Sequence, residues 1–327
     1  MPSAPTRPVP VRARPTWRAA TTRGSARGWL TLLVLLVLAA LASLGPSMVG
    51  ELVSGVLFVR PPAASIAPPA SHLDAALQAR LEDAARSMAP GRLAATTIDL
   101  QSGATASVDG ARAYPAASLF KLPILIDVLA EQDSGQLDPD RQVEIRQEDW
   151  TDGSGVLQAR VGDRLTVREL TRLMIQDSDN VAALVLLDLT GVSSVNALAD
   201  QLGLRTTRLV DHRAGQTGDH ITSADDMAHL LVELASGQVI NRRVSEEALS
   251  LLELKQSVSW LADDLPFWVK VAHKWGDLPE QRHDVGLIFT PRGSYVMAVL
   301  TQDGEPDQAA SAIARASRVT YDYLGNR

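Results

Sequence analysis

Ser118-Leu-Phe-Lys121 sets a hydroxyl and an amine three residues apart, ahead of the largely apolar run Leu122–Leu129. At a helix start, residues at that spacing share a face and their side chains meet. A lysine in apolar surroundings loses proton affinity, and its neutral amine can take the proton of a serine hydroxyl, making the oxygen a nucleophile. Alone, the pair reads equally well as an N-cap serine and a solvated first-turn lysine. A second polar cluster, Ser178-Asp179-Asn180, sits between the helix-like Val167–Ile175 and the apolar Val181–Leu189. It offers a hydroxyl for proton relay and an amide for orienting a substrate, or simply a helix cap. The third, His273-Lys274-Trp275-Gly276, closes the strand-like run Phe267–His273. A lysine followed closely by glycine suits a strand edge where backbone approaches a ligand, or a charged strand end entering a turn.

The elements that must hold these groups follow from periodicity. Leu73, Leu77, Leu81 and Ala84–Ala85 recur at helical spacing, which predicts a helix from Ser71 or His72 to about Pro90-Gly91. Leu93–Leu100 and Thr105–Val108 flank Gln101-Ser102-Gly103 and read as a hairpin. From Ser118 to Ser257 the pattern is mostly helical, with loops at 133–140, 151–155 and 211–222. Three β-like runs follow, Phe267–His273, Val285–Phe289 and Tyr295–Thr301, and then an amphipathic helix over Asp307–Leu324. Two strands, a helical block, three strands and a closing helix predict one α+β unit: a mostly antiparallel five-stranded sheet with a helical subdomain inserted.

Taken in order, the three clusters resemble the S-x-x-K, S-D-N and K-T-G signature of the serine β-lactamase and penicillin-binding superfamily, class A β-lactamases above all. The 60-residue interval from Ser118 to Ser178 fits as well. So do the flanks Tyr114-Pro-Ala-Ala-Ser-Leu-Phe-Lys, Leu165-Thr-Val-Arg-Glu-Leu-Thr-Arg-Leu-Met and His283-Asp-Val-Gly-Leu-Ile, and the resemblance runs from Leu73 to Leu324. It implies that Ser118 is the acylated nucleophile and Lys121 its activating partner. Ser178 would pass a proton to the leaving nitrogen and Asn180 would hold substrate. Lys274 would supply positive charge, with Trp275 and Gly276 beside it in the substrate-binding strand. The backbone N–H groups of Ser118 and Asp277 would form the oxyanion hole.

The sequence departs from that pattern in three places. No Glu occurs between Glu169 and Glu233, so the loop Thr207–Thr222 lacks the carboxylate that activates the deacylating water in class A enzymes. Asp211 and His212 are the candidates for that base, and they read equally as a loop-capping carboxylate and a surface histidine. Trp275 stands where the family usually has a hydroxyl residue that binds the substrate carboxylate. Asp277 adds an acid next to the oxyanion hole, unfavourable for an anionic β-lactam. The resemblance therefore implies a serine hydrolase acting on a β-lactam or another acyl donor. A cell-wall D-Ala-D-Ala peptide or an ester is the alternative substrate, and a slow-deacylating sensor the alternative role.

Composition narrows the rest. The 327 residues carry a net charge of −7, and the first 28 hold six Arg and no acid, so the body is strongly acidic and unsuited to nucleic acid. There is no cysteine and the six His show no metal-ligand spacing, so neither metal nor cofactor is expected. Gly153-Ser154-Gly155 lacks the Lys-Ser/Thr of a phosphate loop, and Trp150 at a loop edge reads as packing. Residues 28–50 carry no charge and are long enough to span a bilayer. With a basic leader (1–28) before it, segment 29–50 is expected to anchor the chain with its body exported, or to be cleaved near Ala40-Leu41-Ala42. The Pro/Ala-rich linker 51–71 then leads into a folded body, 72–327, expected to act as a monomer.

Overall fold

The computed structural model describes residues 70–325. The leader, the apolar segment and nearly all of the linker lie outside the described residues. The body opens with a two-residue strand β1 (His72–Leu73) and helix α1 (Ala75–Arg86). Asp74 caps that helix by accepting from the N–H groups of Ala76 (3.0 Å) and Leu77 (3.1 Å), so it starts later than its apolar periodicity suggests. The hairpin of β2 (Arg92–Asp99) and β3 (Ala104–Val108) forms as expected, and β4 (Tyr114–Pro115) leads into a 3-10 turn, Ala117–Phe120.

The inserted block follows: α2 (Lys121–Asp133), a ribbon of β5 (Gln142–Glu144) and β6 (Arg164–Thr166), then α3 (Val167–Gln176), α4 (Asn180–Thr190) and α5 (Val192–Gln201). Strand β7 (Ile221–Thr222) returns to pair with β4, and α6 (Ala224–Ala235) and α7 (Arg242–Leu252) complete the block. The chain closes with β8 (Lys270–Leu278), β9 (Gln281–Thr290), β10 (Gly293–Gln302) and helix α8 (Pro306–Leu324).

The main sheet has the order β1-β3-β2-β10-β9-β8. It has six strands rather than five and is mixed, because β1 runs parallel to β3. A two-residue strand shows no alternation in sequence; His72 N–H to Gly103 carbonyl (2.9 Å) and Asp74 N–H to Thr105 carbonyl (2.9 Å) define it. The other pairings are antiparallel.

Strand alternation separates two cores. Val296, Ala298 and Leu300 face the helical block, while Tyr295, Met297 and Val299 face α1 and α8. Leu77, Leu81 and Ala84 on α1 meet Ala309, Ile313 and Ala316 of α8 in that second core. Truncating fully buried Leu81 to Ala would cost about 2–5 kcal/mol.

The strand expected over Phe267–His273 begins three residues later and runs past the lysine to Leu278. Pro266 has no N–H to give a ladder, and its carbonyl instead accepts from Val269 N–H (2.9 Å) to close a turn. Phe267 is thereby exposed, and Lys274-Trp275-Gly276 lies within the edge strand β8 rather than in a turn. Among the described residues no single helix is long and apolar enough to cross a membrane.

Candidate active site

The turn that carries Ser118 is held from two sides. Ala116 N–H donates to the His220 carbonyl (2.7 Å), and Leu119 N–H to the Ala116 carbonyl (2.9 Å). Ala117 is forced to φ +44°, a left-handed backbone that non-glycine residues adopt only under constraint. Beneath it passes β8 at Gly276. A Cβ there would lie 3.0 Å from Ala117 Cβ and 3.1 Å from Ser118 N, so only glycine lets the strand come this close to the serine.

Lys121, at the first position of α2, is fully buried. Its Nζ lies 3.1 Å from Ser118 Oγ, 3.0 Å from Ser178 Oγ and 2.7 Å from Asn180 Oδ1, and it also contacts the Ser178 carbonyl. Of these four oxygens the Ser178 carbonyl and Asn180 Oδ1 only accept, while the two serine hydroxyls can also donate, so a neutral amine can give its two N–H groups to the former and accept from a hydroxyl. Asn180 Nδ2 donates to the Asp152 carbonyl (2.9 Å), which turns the amide so that its oxygen meets Lys121. Burial first, and then the charge of Lys274, hold Lys121 well below the ordinary lysine range; the Asp179 carboxylate opposes them.

Asp179 builds the site without entering it. One carboxylate oxygen caps α4 through Ala182 N–H (2.8 Å), and the other accepts from Val156 (2.6 Å) and Leu157 (2.9 Å). That second oxygen ties the loop 152–157 to the Ser178 turn. A side chain at Gly155 would meet it at 2.2 Å. Ser178 itself is pushed to φ +53°, presenting its hydroxyl between two lysines.

Lys274 is the second lysine. It is wholly buried, and its Nζ donates to Ser178 Oγ (3.1 Å) and the Trp275 carbonyl (2.8 Å). Burial lowers its pKa from 10.5 to about 7, against the pull of Asp284. Trp275, expected to meet substrate, is buried instead, edge-on to Trp260 with ring centroids 6.1 Å apart. Asp277 does reach the cleft, where its carboxylate pairs with Arg282.

The loop after α5 supplies the remaining wall. Arg213 pins it to the helical block through Asp149 (3.0 Å) and Asp188 (2.7 Å). Asp211 stays in the turn: its Oδ1 accepts from Ala214 N–H (2.9 Å), and it does not line the cleft. His212 does line it, with its ring 5.3 Å from that of His220.

His220 was not singled out by the sequence, and a lone His after Asp219 carries no signal of its own. Its ring packs on Phe120 at 4.5 Å, and its Nδ1 accepts from Val210 N–H (2.9 Å), which places the proton on Nε2. Burial, then His212, lower its pKa to about 4, so it is neutral at physiological pH. The cleft these residues enclose measures about 390 Å³ and is lined by Ser118, Phe120, Ser154, Asn180, His220 and Asp277 among others. No glutamate lines it among the described residues, and none of the described His, Asp and Glu side chains form a metal-binding group. A larger depression over α8, about 480 Å³, is lined by Asp263, Arg315 and Arg318 and lies away from both lysines.

Comparison with known proteins agrees with this geometry. The model of the β-lactamase enzyme family named Beta-lactamase2 matches residues 73–324. A β-lactamase from Sphaerobacter thermophilus is similar at 28% identity and TM-score 0.71, over 76% of this chain and 98% of that one. A mutant of PBP-A solved as an acyl-enzyme complex with penicillin G is similar at 25% identity and TM-score 0.74, over 79% and 100% of the two chains. An ancestral class A β-lactamase is similar at 26% identity and TM-score 0.69, over 76% and 99%. With two buried lysines meeting at Ser178 and the family model matched over the whole body, the chain belongs to the β-lactamase enzyme family and is a β-lactamase-like serine hydrolase.

Proposed function

We propose that the protein opens the amide of a β-lactam or a related acyl donor through a covalent ester on Ser118. Lys121 takes the Ser118 hydroxyl proton as Oγ bonds to the carbonyl carbon. The backbone N–H groups of Ser118 and Asp277 receive the oxyanion. The bond to the leaving group then breaks, and the proton passes from Lys121 through Ser178 to that group. Lys274, charged below about pH 7, polarises Ser178 from the other side. Asn180 orients both Lys121 and the incoming substrate. The observation that carries this reading is the complete burial of Lys121 with its Nζ 3.1 Å from Ser118 Oγ. The penicillin G acyl-enzyme of PBP-A supports the same covalent step in a similar fold.

Among the described residues no glutamate lines the cleft to assist water attack on the ester, and general-base assistance is typically worth about 10²–10⁴-fold. Acylation therefore outruns deacylation, giving a burst of about one equivalent and a slow steady state. This lack also favours a second reading, a sensor that acylates once and stays acylated. Intact-mass measurement of the full chain in detergent, with penicillins, cephalosporins, acyl-D-Ala-D-Ala peptides and simple esters, tests both. A single adduct mapped to Ser118 is the expected result; an adduct on another serine refutes it. Turnover beyond one equivalent separates enzyme from sensor. The same reading places the body outside the cytoplasm, tethered by segment 29–50, so protease added to intact cells should digest residues 72–327 and spare the leader.

A further inference from the structure

We infer that the body docks on the bilayer that holds its tether through an exposed aromatic pair, Phe267 and Trp268, with the Ser118 site toward the other end of β8. The inference rests on the tethered topology proposed above and adds to it a membrane contact and an orientation.

The pair fills the two central positions of the turn that Val269 N–H closes on the Pro266 carbonyl (2.9 Å). Such positions ordinarily go to Gly, Asn, Asp, Ser or Pro. Here Phe267 is 88% exposed and Trp268 41%, with their rings edge-on and the centroids 5.1 Å apart. Leu265 and Val269 on either side are buried in the core shared with α1 and α8, so the turn is fixed at both ends and projects the two rings outward. Rings held in place this way lose little freedom on entering an interface, and Trp and Phe favour the zone between headgroups and acyl chains.

Strand register puts the root of the tether at the same end of the sheet. Lys270 lies opposite Phe289, Gly293 opposite Thr290, Tyr295 opposite Asp99, Thr105 opposite Ile98 and His72 opposite Ala104. The aromatic turn, the hairpin turns at 291–292 and 100–103 and the start of the body at His72 therefore share one end, where Leu73 is also 67% exposed. Twenty residues separate the apolar segment 29–50 from residue 70, a reach of about 70 Å at most. A tether that short makes docking an intramolecular event, so a modest partitioning energy suffices. Charge near the turn is mixed, since Lys270 and Arg292 are exposed and so are Asp263 and Asp264. The rings, rather than ion pairing, supply the attraction. Gly276, beneath Ser118, lies six residues farther along β8 than Lys270, about 20 Å away at the rise of a strand.

The chain has no cysteine, so one introduced thiol gives one labelling site. Full-length Gln101→Cys and Val156→Cys place that thiol at exposed positions, the first on the 100–103 turn and the second on the loop that borders the cleft. Each is labelled with a nitrobenzoxadiazole fluorophore and reconstituted in vesicles of phosphatidylethanolamine and phosphatidylglycerol. Quenching by lipids with a nitroxide near the headgroup is expected to be at least about threefold greater at 101 than at 156. Adding Phe267→Ser and Trp268→Ser should remove at least about half of that excess, and Phe267→Ser alone, at a side chain with little packing to lose, should remove part of it. Raising the salt to about 0.5 M should leave the excess in place, because it screens exposed charges and not ring partitioning. Equal quenching at the two positions, or more at 156, would overturn the inference. So would an excess that survives the double substitution, which would leave the tether alone as its cause, or one that disappears in salt. Energy transfer between donor-labelled and acceptor-labelled copies at 101, lost in the double variant, would assign the rings to a second copy and overturn it too. A chain that fails to float with the vesicles would refute the tether itself, whereas one that floats without the excess refutes only the docking.

Discussion

Replacing Lys274 with Met separates what the buried amine does for chemistry from what it costs the fold. Its pKa falls from 10.5 to about 7 because burial penalises the charged form. Between those values the folded state binds fewer protons than the unfolded one, so stability rises with pH across the window and the gain is lost below about pH 7. The full span corresponds to about 5 kcal/mol at about 1.4 kcal/mol per pH unit. Integrated from pH 6 to pH 9, it amounts to about 3 kcal/mol. Methionine has similar length and no proton to lose, so Lys274→Met removes this dependence. At pH 9 the variant forfeits the bonds to Ser178 and the Trp275 carbonyl and should be no more stable than the parent. At pH 6 it should gain about 3 kcal/mol relative to its standing at pH 9, or about 6–12 °C in Tm for a body of this size. Urea unfolding or thermal melts of both proteins at the two pH values measure the difference, while acylation of Ser118 by the variant should fall at least about a hundredfold. A stability difference that is the same at pH 6 and pH 9 would show that Lys274 keeps an ordinary proton affinity, and the argument from burial would fail.

Three further outcomes follow from the geometry. Lys121→Arg should abolish detectable acylation over minutes while leaving a folded protein, because a guanidinium does not lose its proton in this range; a rate within tenfold of the parent by intact mass would exclude Lys121 as the base. Gly276→Ala should slow acylation about tenfold or more, since its methyl would press on Ala117 Cβ and Ser118 N, and stopped-flow acylation at an unchanged Tm would isolate that effect. His212→Ala should lower steady-state turnover about tenfold and keep the burst, whereas Asp211→Asn, whose amide oxygen can still accept from Ala214 N–H, should change turnover less than twofold; the reverse order in burst kinetics would move the water-activating role to Asp211.

How far the sequence carried varies with the range of each interaction. Ser118 and Lys121 lie three residues apart, so helical geometry alone brings them together, and the spacing was enough to read. Ser178, Asn180 and Lys274 were legible only as motifs, since nothing local says that Ser178 Oγ sits between two amines from positions 57 and 96 residues away. Trp275 was read as a substrate contact because its neighbours suggested it, but its burial depends on Trp260, in the loop ahead of β8, which no periodicity ties to it. His220 was missed for the same reason, its ring being fixed by Phe120 a hundred residues earlier. The later start of β8 was in principle readable, since Pro266 removes a ladder donor. The alternating runs of β9 and β10 and the apolar helices were clear because burial imposes periods that a single sequence displays.

The order of the sheet has a consequence for how the chain is made. β2 pairs along its whole length with β10, Arg92 opposite Gln302 and Asp99 opposite Tyr295, so strands from the two ends of the body must find one another across the entire helical block. Closing so distant a pair is slow, and during synthesis it cannot begin until residue 302 has left the ribosome. Through most of translation, then, the sheet is unmade, and Lys274 and Gly276 have no platform on which to meet Ser118. A nascent chain in that condition has no assembled cleft, and Lys274 and Gly276 reach the Ser118 turn only after the last strand arrives.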